Sequence, residues 1–422
     1  MGTLSVSIVR SSEPDDTLMD EWVSLFHLQP APANPFLHPV WVLGWLRTYD
    51  LESALVLVRR TDTGALVGVA PMFVQQLSVG PVKAARRMIP VGCGFSSPLE
   101  MPGRLAAPGW GREVSRMVVG ATIGDPSADW CEISLGEDQG WFEPEWAFGD
   151  APVSFGEHVR SRACVMLTVE STWAATRSAL KRNVKESIRR STNRLAKHPG
   201  CTEVRELTGA DLDRAALDRF LDLHRSRSAN DSSGIDHHDA YADVRHRELL
   251  RTVLPVLARE GLASMFELVI DGEVVAAQLA LRAPGTAYVH SSGFLPSVWN
   301  LGPTTLLQSE VVRTAVERGD AMVNFSPGPS VSKLRWSETL WVGHDFAYGA
   351  GGRSLAARYG VFGALSTVKA ARHAMQFTRR QRKSTQPPAA PSAGRSVEVG
   401  SPSVPAADGP SPRQVAGLVR TG

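Results

Sequence analysis

The sequence predicts an α/β protein in which mixed central sheets are flanked by helices and one structural unit is used twice. Three observations carry that expectation. Residues 264–336 run strand, tight turn, strand, strand, glycine turn, helix, strand. A second copy of the opening hairpin lies at 54–74. The length of 422 residues exceeds the size at which a single hydrophobic core usually stops growing.

Residues 265–270 and 274–281 are rich in β-branched and other apolar side chains, which suits strands. Asp271-Gly272 between them is a tight-turn pair, because glycine accepts positive φ. A third strand is expected over 287–291. Leu306, Leu307, Val311, Val312 and Ala315 then recur at helical spacing, between Gly302 and a C-terminal cap at Gly319. The strand 321–325 follows. In the first half, 54–59, the turn Asp62-Thr63-Gly64 and 66–74 repeat the hairpin. From there to Glu170, Gly92, Gly94, Pro98, Pro102, Pro108, Pro126 and Pro144 break the pattern, which predicts loops and short strands. Residues 172–197 are expected as one helix, with Leu180, Val184, Ile188 and Leu195 on a stripe and eight Lys or Arg against one acid, Glu186. Such a face is either simply solvated or recognises phosphate, since guanidinium forks bind phosphate bidentately.

After Trp341 the chain changes character. Residues 355–377 read as an apolar, alanine-rich helix ending in Arg379-Arg380-Gln381-Arg382-Lys383, and 384–422, rich in Pro, Ala, Ser and Gly, is expected to be disordered. The basic amphipathic segment 355–383 either docks on the body or makes a peripheral membrane contact. The expected division is 1–165, 166–350, 351–383 and 384–422.

Composition narrows the function. The net charge of +2 offers no general field for DNA. Cys93, Cys131, Cys164 and Cys201 are scattered without metal-ligand spacing, so no metal is expected. No apolar run approaches the length that crosses a bilayer, and the cytoplasm is the expected compartment. His224, His237, His238 and His246 lack an HExxH arrangement, and Ser291-Ser292 lack a GxSxG elbow, which argues against zinc chemistry and against a serine hydrolase. The turn at Gly302, Thr304 and Thr305 sits between a strand and a helix, where outward-pointing N–H groups can hold a pyrophosphate. Tyr288 and His290 precede it on a strand.

Three sets of residues then carry a resemblance. Asn34-Pro35-Phe36-Leu37-His38-Pro39 with Trp41 and Trp45, Leu180-Lys181-Arg182-Asn183 with Arg189 and Arg190, and Asn324-Phe325 through Lys333 to Trp336 follow one another in the order seen in GNAT-like acyltransferases of the CelD type, themselves similar to the FemAB aminoacyltransferases. The chain resembles that family over roughly 30–340. It departs at Trp299 and Thr304 around the glycine turn, and at Asn324 and Ser332, where the family has Asp and Tyr.

The resemblance implies two GNAT-like domains in tandem and an N-acyltransferase that moves an acyl group, typically acetyl, from acyl-CoA to an amine of a small molecule or a sugar-linked envelope precursor. Gly302, Thr304 and Thr305 then bind the cofactor. Lys333 stabilises the oxyanion, Asn324 and Tyr288 complete the catalytic set, and Lys181, Arg182, His224, Arg225 and His290 shape the substrate sites. Two alternatives stay open: a FemAB-like enzyme that uses aminoacyl-tRNA, and a non-catalytic scaffold in polysaccharide or lipid assembly.

Overall fold

In the computed structural model, which describes residues 3–94, 100–136, 148, 151, 153–229 and 239–384, the first half runs β1 (Leu4–Val9), α1 (Asp16–His27), α2 (Pro39–Thr48), β2 (Glu52–Arg60), β3 (Leu66–Val79), β4 (Val82–Pro90), β5 (Leu105–Ala106), α3 (Gly111–Thr122) and β6 (Trp130–Gly136). The chain continues through β7 (Phe155–Thr168), α4 (Trp173–Ala179), α5 (Arg182–Ala196), β8 (Thr202–Leu207), α6 (Arg214–Ser228), α7 (Val244–Arg259), β9 (Ala263–Ile270), β10 (Glu273–Ala283) and β11 (Thr286–Phe294). It ends with α8 (Pro303–Glu317), β12 (Met322–Pro327), α9 (Val331–Leu334), β13 (Leu340–Gly349) and α10 (Gly351–Ser384). Residues 1–366 form one unit, and 367–422 belong to a second, of which the described part is the later stretch of α10. The expected tail from 385 onward, His237, His238 and most of the loop 229–234 lie outside the described residues.

All the described strands share one sheet, ordered β1-β2-β3-β4-β6-β13-β7-β12-β11-β10-β9-β8, with β5 attached to β3. The order contains the same motif twice. In the first half three antiparallel steps, β1 to β4, lead to the parallel pair β4 and β6. In the second, β8 to β11 repeat the antiparallel steps and lead to the parallel pair β11 and β12. The sixth position of each half is filled from the other end of the chain: β13 lies against β6, β7 lies against β12, and β13 and β7 pair with each other along their length.

Local chemistry explains the repeated pieces. Asp271 and Gly272 both have positive φ, 52° and 84°, as the two-residue turn joining Ile270 to Glu273 requires. Helix α8 begins with Pro303, whose missing N–H is no loss in the first turn, and closes in a Schellman motif, with Gly319 N–H donating to Val316 O and Asp320 N–H to Ala315 O.

Packing then divides the helices. α1, α2, α6 and α7 bury Trp22, Trp41, Trp45, Phe220 and Leu254 on one face of the sheet in a core common to both halves. α5 and α8 cover the other face of the second half through Val184, Ile188, Leu307 and Val311, and α3 covers that of the first through Val114 and Val118.

Two expectations need correction. The helix over 172–197 is broken at Leu180 and Lys181, whose ψ angles of 150° and 145° are extended. The break lets Leu180 bury beside Val184 and Ile188 while Lys181 reaches the Leu334 carbonyl. The stretch up to Glu170 is not only loops and short strands, for it holds the twelve-residue α3 and the fourteen-residue β7. The valines of α3 disfavour helix locally, but their shared buried stripe decides the outcome.

Candidate functional site

The parallel strands β11 and β12 pair only from Thr286↔Met322 to Tyr288↔Asn324, although β11 continues to Phe294 and β12 to Pro327. Beyond that last rung they separate. On the far side, β12 gains one residue against β7 between Asn324↔Met166 and Pro327↔Cys164, a bulge that places Ser326 at φ 64°. Asn324 secures the bulge, its side-chain oxygen accepting the Ser326 N–H at 2.8 Å.

Lys333 of α9 enters this gap. Its Nζ donates to Ser326 O at 3.2 Å, Ser326 Oγ at 3.1 Å and Pro327 O at 2.7 Å. Burial pushes its pKa down to about 8, with the nearby Cys164 opposing. The same lysine is felt by His290 across the gap on β11, whose pKa falls to about 3, chiefly through burial and then through His246, His224 and Lys333. His290 is therefore neutral, its Nδ1 within 3.1 Å of Ser291 Oγ and 3.3 Å of Tyr241 Oη. Burial raises the Tyr288 hydroxyl well above its ordinary pKa, so it remains an O–H donor at neutral pH.

Tyr288 and Asn324 also line a cavity on the α1/α2 face, with about 730 Å³ of space between protein atoms, part of it open to solvent. Register alone explains its floor. Tyr288, Asn324 and Met166 stand in one row, and Cys164 and Arg162 follow at alternate positions of β7 opposite Trp341 and Gly343 of β13. Asp345, 1% exposed, accepts from Ser134 Oγ, from Arg160 Nε at 2.6 Å and from Arg162 Nη1 at 2.7 Å. The roof comes from the first half: Asn34 donates to Met101 O, Ala33 N–H donates to Thr286 Oγ1, and the Phe36 ring meets Tyr288 edge-on at 5.1 Å.

The start of α8 lies at the other side of the gap. Gly302 is left-handed at φ 68° and offers no side-chain cap, so the amides of Thr304 and Thr305 open the helix without preceding carbonyl partners. Those features suit an anionic pyrophosphate. Against them stands α5, which is tied to both lips of the groove. Ser191 Oγ lies 2.4 Å from where a Gly302 Cβ would be, and Arg194 donates to Asn300 O. At the other end Lys181 Nζ donates to Leu334 O at 2.9 Å and Arg335 donates to Ser187 Oγ. A thioester arm reaching the gap from this side has to pass beneath α5.

Of the residues singled out in the sequence, Lys333, Asn324, Tyr288 and His290 meet at the gap, and Gly302, Thr304 and Thr305 border it. Lys181 and Arg182 stand at the start of α5, with Arg182 exposed. His224 lies on the buried face of α6, with its Nδ1 3.3 Å from Asp239 and its ring against Tyr241, and Arg225 is exposed and paired with Asp222. Sequence reasoning missed Arg162, Asp345, Ser134 and Trp341. The alternation Arg160, Arg162, Cys164 was a readable signal of a strand with a polar face, but nothing local pairs it with Asp345 far along the chain.

Residues 182–334, the segment that supplies the gap, match the family model described as an acetyltransferase (GNAT) domain. They form a GNAT-type acyltransferase domain. The crystal structure of FemX is similar over 80% of this chain and 97% of its own, with a TM-score of 0.58 at 10% identity, a likeness of fold. L-PGS from Bacillus licheniformis (TM-score 0.46, 10% identity, 82% and 97% covered) and a tandem GNAT protein from the clavulanic acid biosynthesis pathway (0.39, 11%, 81% and 98%) are more distant. No curated protein matches the chain. Among the described residues no cluster of His, Cys, Asp and Glu is arranged to hold a metal, and no helix is long and apolar enough to cross a membrane. The GNAT-type domain takes its last sheet position from β7, outside the matched segment, so the gap depends on the chain before residue 182.

Proposed function

We propose that the chain transfers an acyl group from an acyl-CoA thioester to the amine of a small-molecule or sugar-linked acceptor, at the gap between β11 and β12. The observation that carries this reading is the lysine ammonium inserted where the two parallel strands part. In this reading the first turn of α8, through Thr304 and Thr305, holds the donor's pyrophosphate. The donor supplies a carbonyl carbon and a thiolate leaving group. The acceptor amine approaches from the cavity side, oriented by the Tyr288 hydroxyl. Lys333 turns one N–H from the Ser326 or Pro327 carbonyl to the oxyanion that develops as the C–N bond forms. The C–S bond then breaks, and the amine's proton passes through solvent to the departing thiolate. Holding both reactants at one gap supplies much of the rate.

A substitution at Gly302 is a poor probe of the donor, since any Cβ strikes Ser191. Thr304→Glu is better, because a carboxylate in the first turn suits the helix and repels phosphate. Calorimetric titration with acetyl-CoA is expected to give saturable binding that weakens at least about tenfold in T304E at an unchanged melting temperature. Absence of binding to the wild type would sink the acyl-CoA donor. It would favour the second reading, an aminoacyl-tRNA donor, which the position of α5 across the groove and its exposed Arg182, Arg189 and Arg190 support.

A further inference from the structure

The cavity floor bears an uneven charge. Asp345 is the one carboxylate among its described lining side chains, beside the guanidiniums of Arg104 and Arg162; Arg162, 15% exposed, binds Asp345, as does the more exposed Arg160. The remaining contact of Arg162 is weak. Its Nη2 donates to Cys93 Sγ at 3.3 Å, and burial pushes that thiol's pKa up to about 11, so it brings no compensating charge. One register step away, Trp341 carries a buried indole N–H that finds no acceptor among the described residues. Gly343 opposite Arg162 leaves the space this indole occupies, for a Cβ there would stand 3.2 Å from the ring. A guanidinium with spare donor capacity and a buried indole N–H, in a cavity that Tyr288 and Asn324 also line, present donors suited to an anion.

We infer that the acceptor is an amine with an anionic group, a carboxylate or a phosphate, which docks on Arg162 and Trp341 while the amine reaches Tyr288 and Asn324. This inference rests on the acyl-transfer reading for the position of the amine alone. Register supplies the length. Arg162 lies four residues along β7 from Met166, which stands in the row of Tyr288 and Asn324. At about 3.3 Å per residue that is roughly 13 Å between backbones, and the reach of the arginine leaves amine and anion on the order of 10 Å apart. An α-amino acid is too short. A short peptide, a long ω-amino acid or an amino sugar with a remote phosphate has the required span.

The test needs no acyl donor. Glycine, aminohexanoate and aminooctanoate, each beside its uncharged amide, and aminohexyl phosphate beside aminohexanol, are titrated calorimetrically into the full chain. The long anionic amines are expected to bind at least tenfold tighter than their uncharged partners, while glycine shows no such advantage. The acid and phosphate series show which anion is preferred. Arg162→Gln is expected to abolish the advantage. Because that change also disturbs Asp345, Trp341→Phe provides the milder check, keeping the ring, removing the N–H and reducing the advantage several-fold. Equal binding of acids and amides, an advantage as large for glycine, an advantage untouched in both variants, or no binding of any anionic amine would each overturn the inference. Because acetyl-CoA binding is read separately, a failed donor leaves this result standing, and a failed anion preference leaves the donor result standing.

Discussion

The two halves of the sheet follow the same strand order, yet their parallel pairs are used differently. In the first half, β4 and β6 meet at Arg87↔Trp130 and Met88↔Cys131, and the space beside them is closed by an ion pair in which Arg87 donates to Glu132 at 2.8 Å. Glu132 is 3% exposed there, and Arg87 Nε donates to Gln75 Oε1 at 2.9 Å. In the second half the corresponding space holds Lys333, whose charge meets carbonyl and hydroxyl oxygens and, among the described residues, no carboxylate. The fold tolerates either solution. A neutralised cation braces the sheet, whereas one held only by dipoles can be redirected toward a charge that forms during reaction.

That contrast can be broken experimentally. The largest effect is expected from Arg87→Leu, which strands a buried carboxylate and should cost about 3–5 kcal/mol in denaturant unfolding, with little change in the transfer rate of the remaining folded protein. Lys333→Ala should do the reverse, lowering single-turnover acyl transfer about 10²–10³-fold, the usual loss when an oxyanion donor is removed, while leaving the unfolding midpoint nearly in place. If both variants lose stability and neither loses rate, the two halves are equivalent and the lysine is structural.

A third change is expected to be smaller. Gly302→Ala puts a side chain at φ 68° against Ser191 and should cost about 1–3 kcal/mol, of which about 1–2 is backbone strain. Ser191→Gly in the same chain should restore the remainder but not the strain, a difference that a double-mutant cycle measures. Smallest is the pH effect. With a pKa near 8 against an ordinary 10.5, Lys333 is charged below pH 8 and becomes neutral above it. Transfer should therefore decline as pH rises through 8, and Lys333→Arg, which keeps its charge, should lose that limb. Stability should move the opposite way, rising between pH 8 and 10.5, because there the unfolded chain holds a proton that the folded one has released.

Much of the second half was legible in the sequence because its signals are local. Asp271-Gly272 fixes a two-residue turn, and Gly302, Pro303 and Gly319 bound a helix whose apolar stripe is regular. Lys333 and Asn324 were singled out through the resemblance of the closing motif, and Tyr288 and His290 through their place on the strand before the Gly302 turn. The anion site was not legible. Arg162, Trp341, Asp345 and Ser134 become neighbours only through the pairing of β6, β7 and β13, and no local pattern reports a pairing across nearly two hundred positions. The break at Leu180 was hidden likewise, because an apolar stripe does not say when the core will draw one of its members out of the helix.

The exchange of β7 and β13 has a consequence for how the protein is made. The first half begins to emerge from the ribosome early, but the strand that flanks β6 is encoded after residue 339. Until β13 has been synthesised, that edge has no partner and remains open to other chains. A stop codon before β13 would therefore be expected to harm the part synthesised first, and the nascent chain to depend on whatever shields it in the interval.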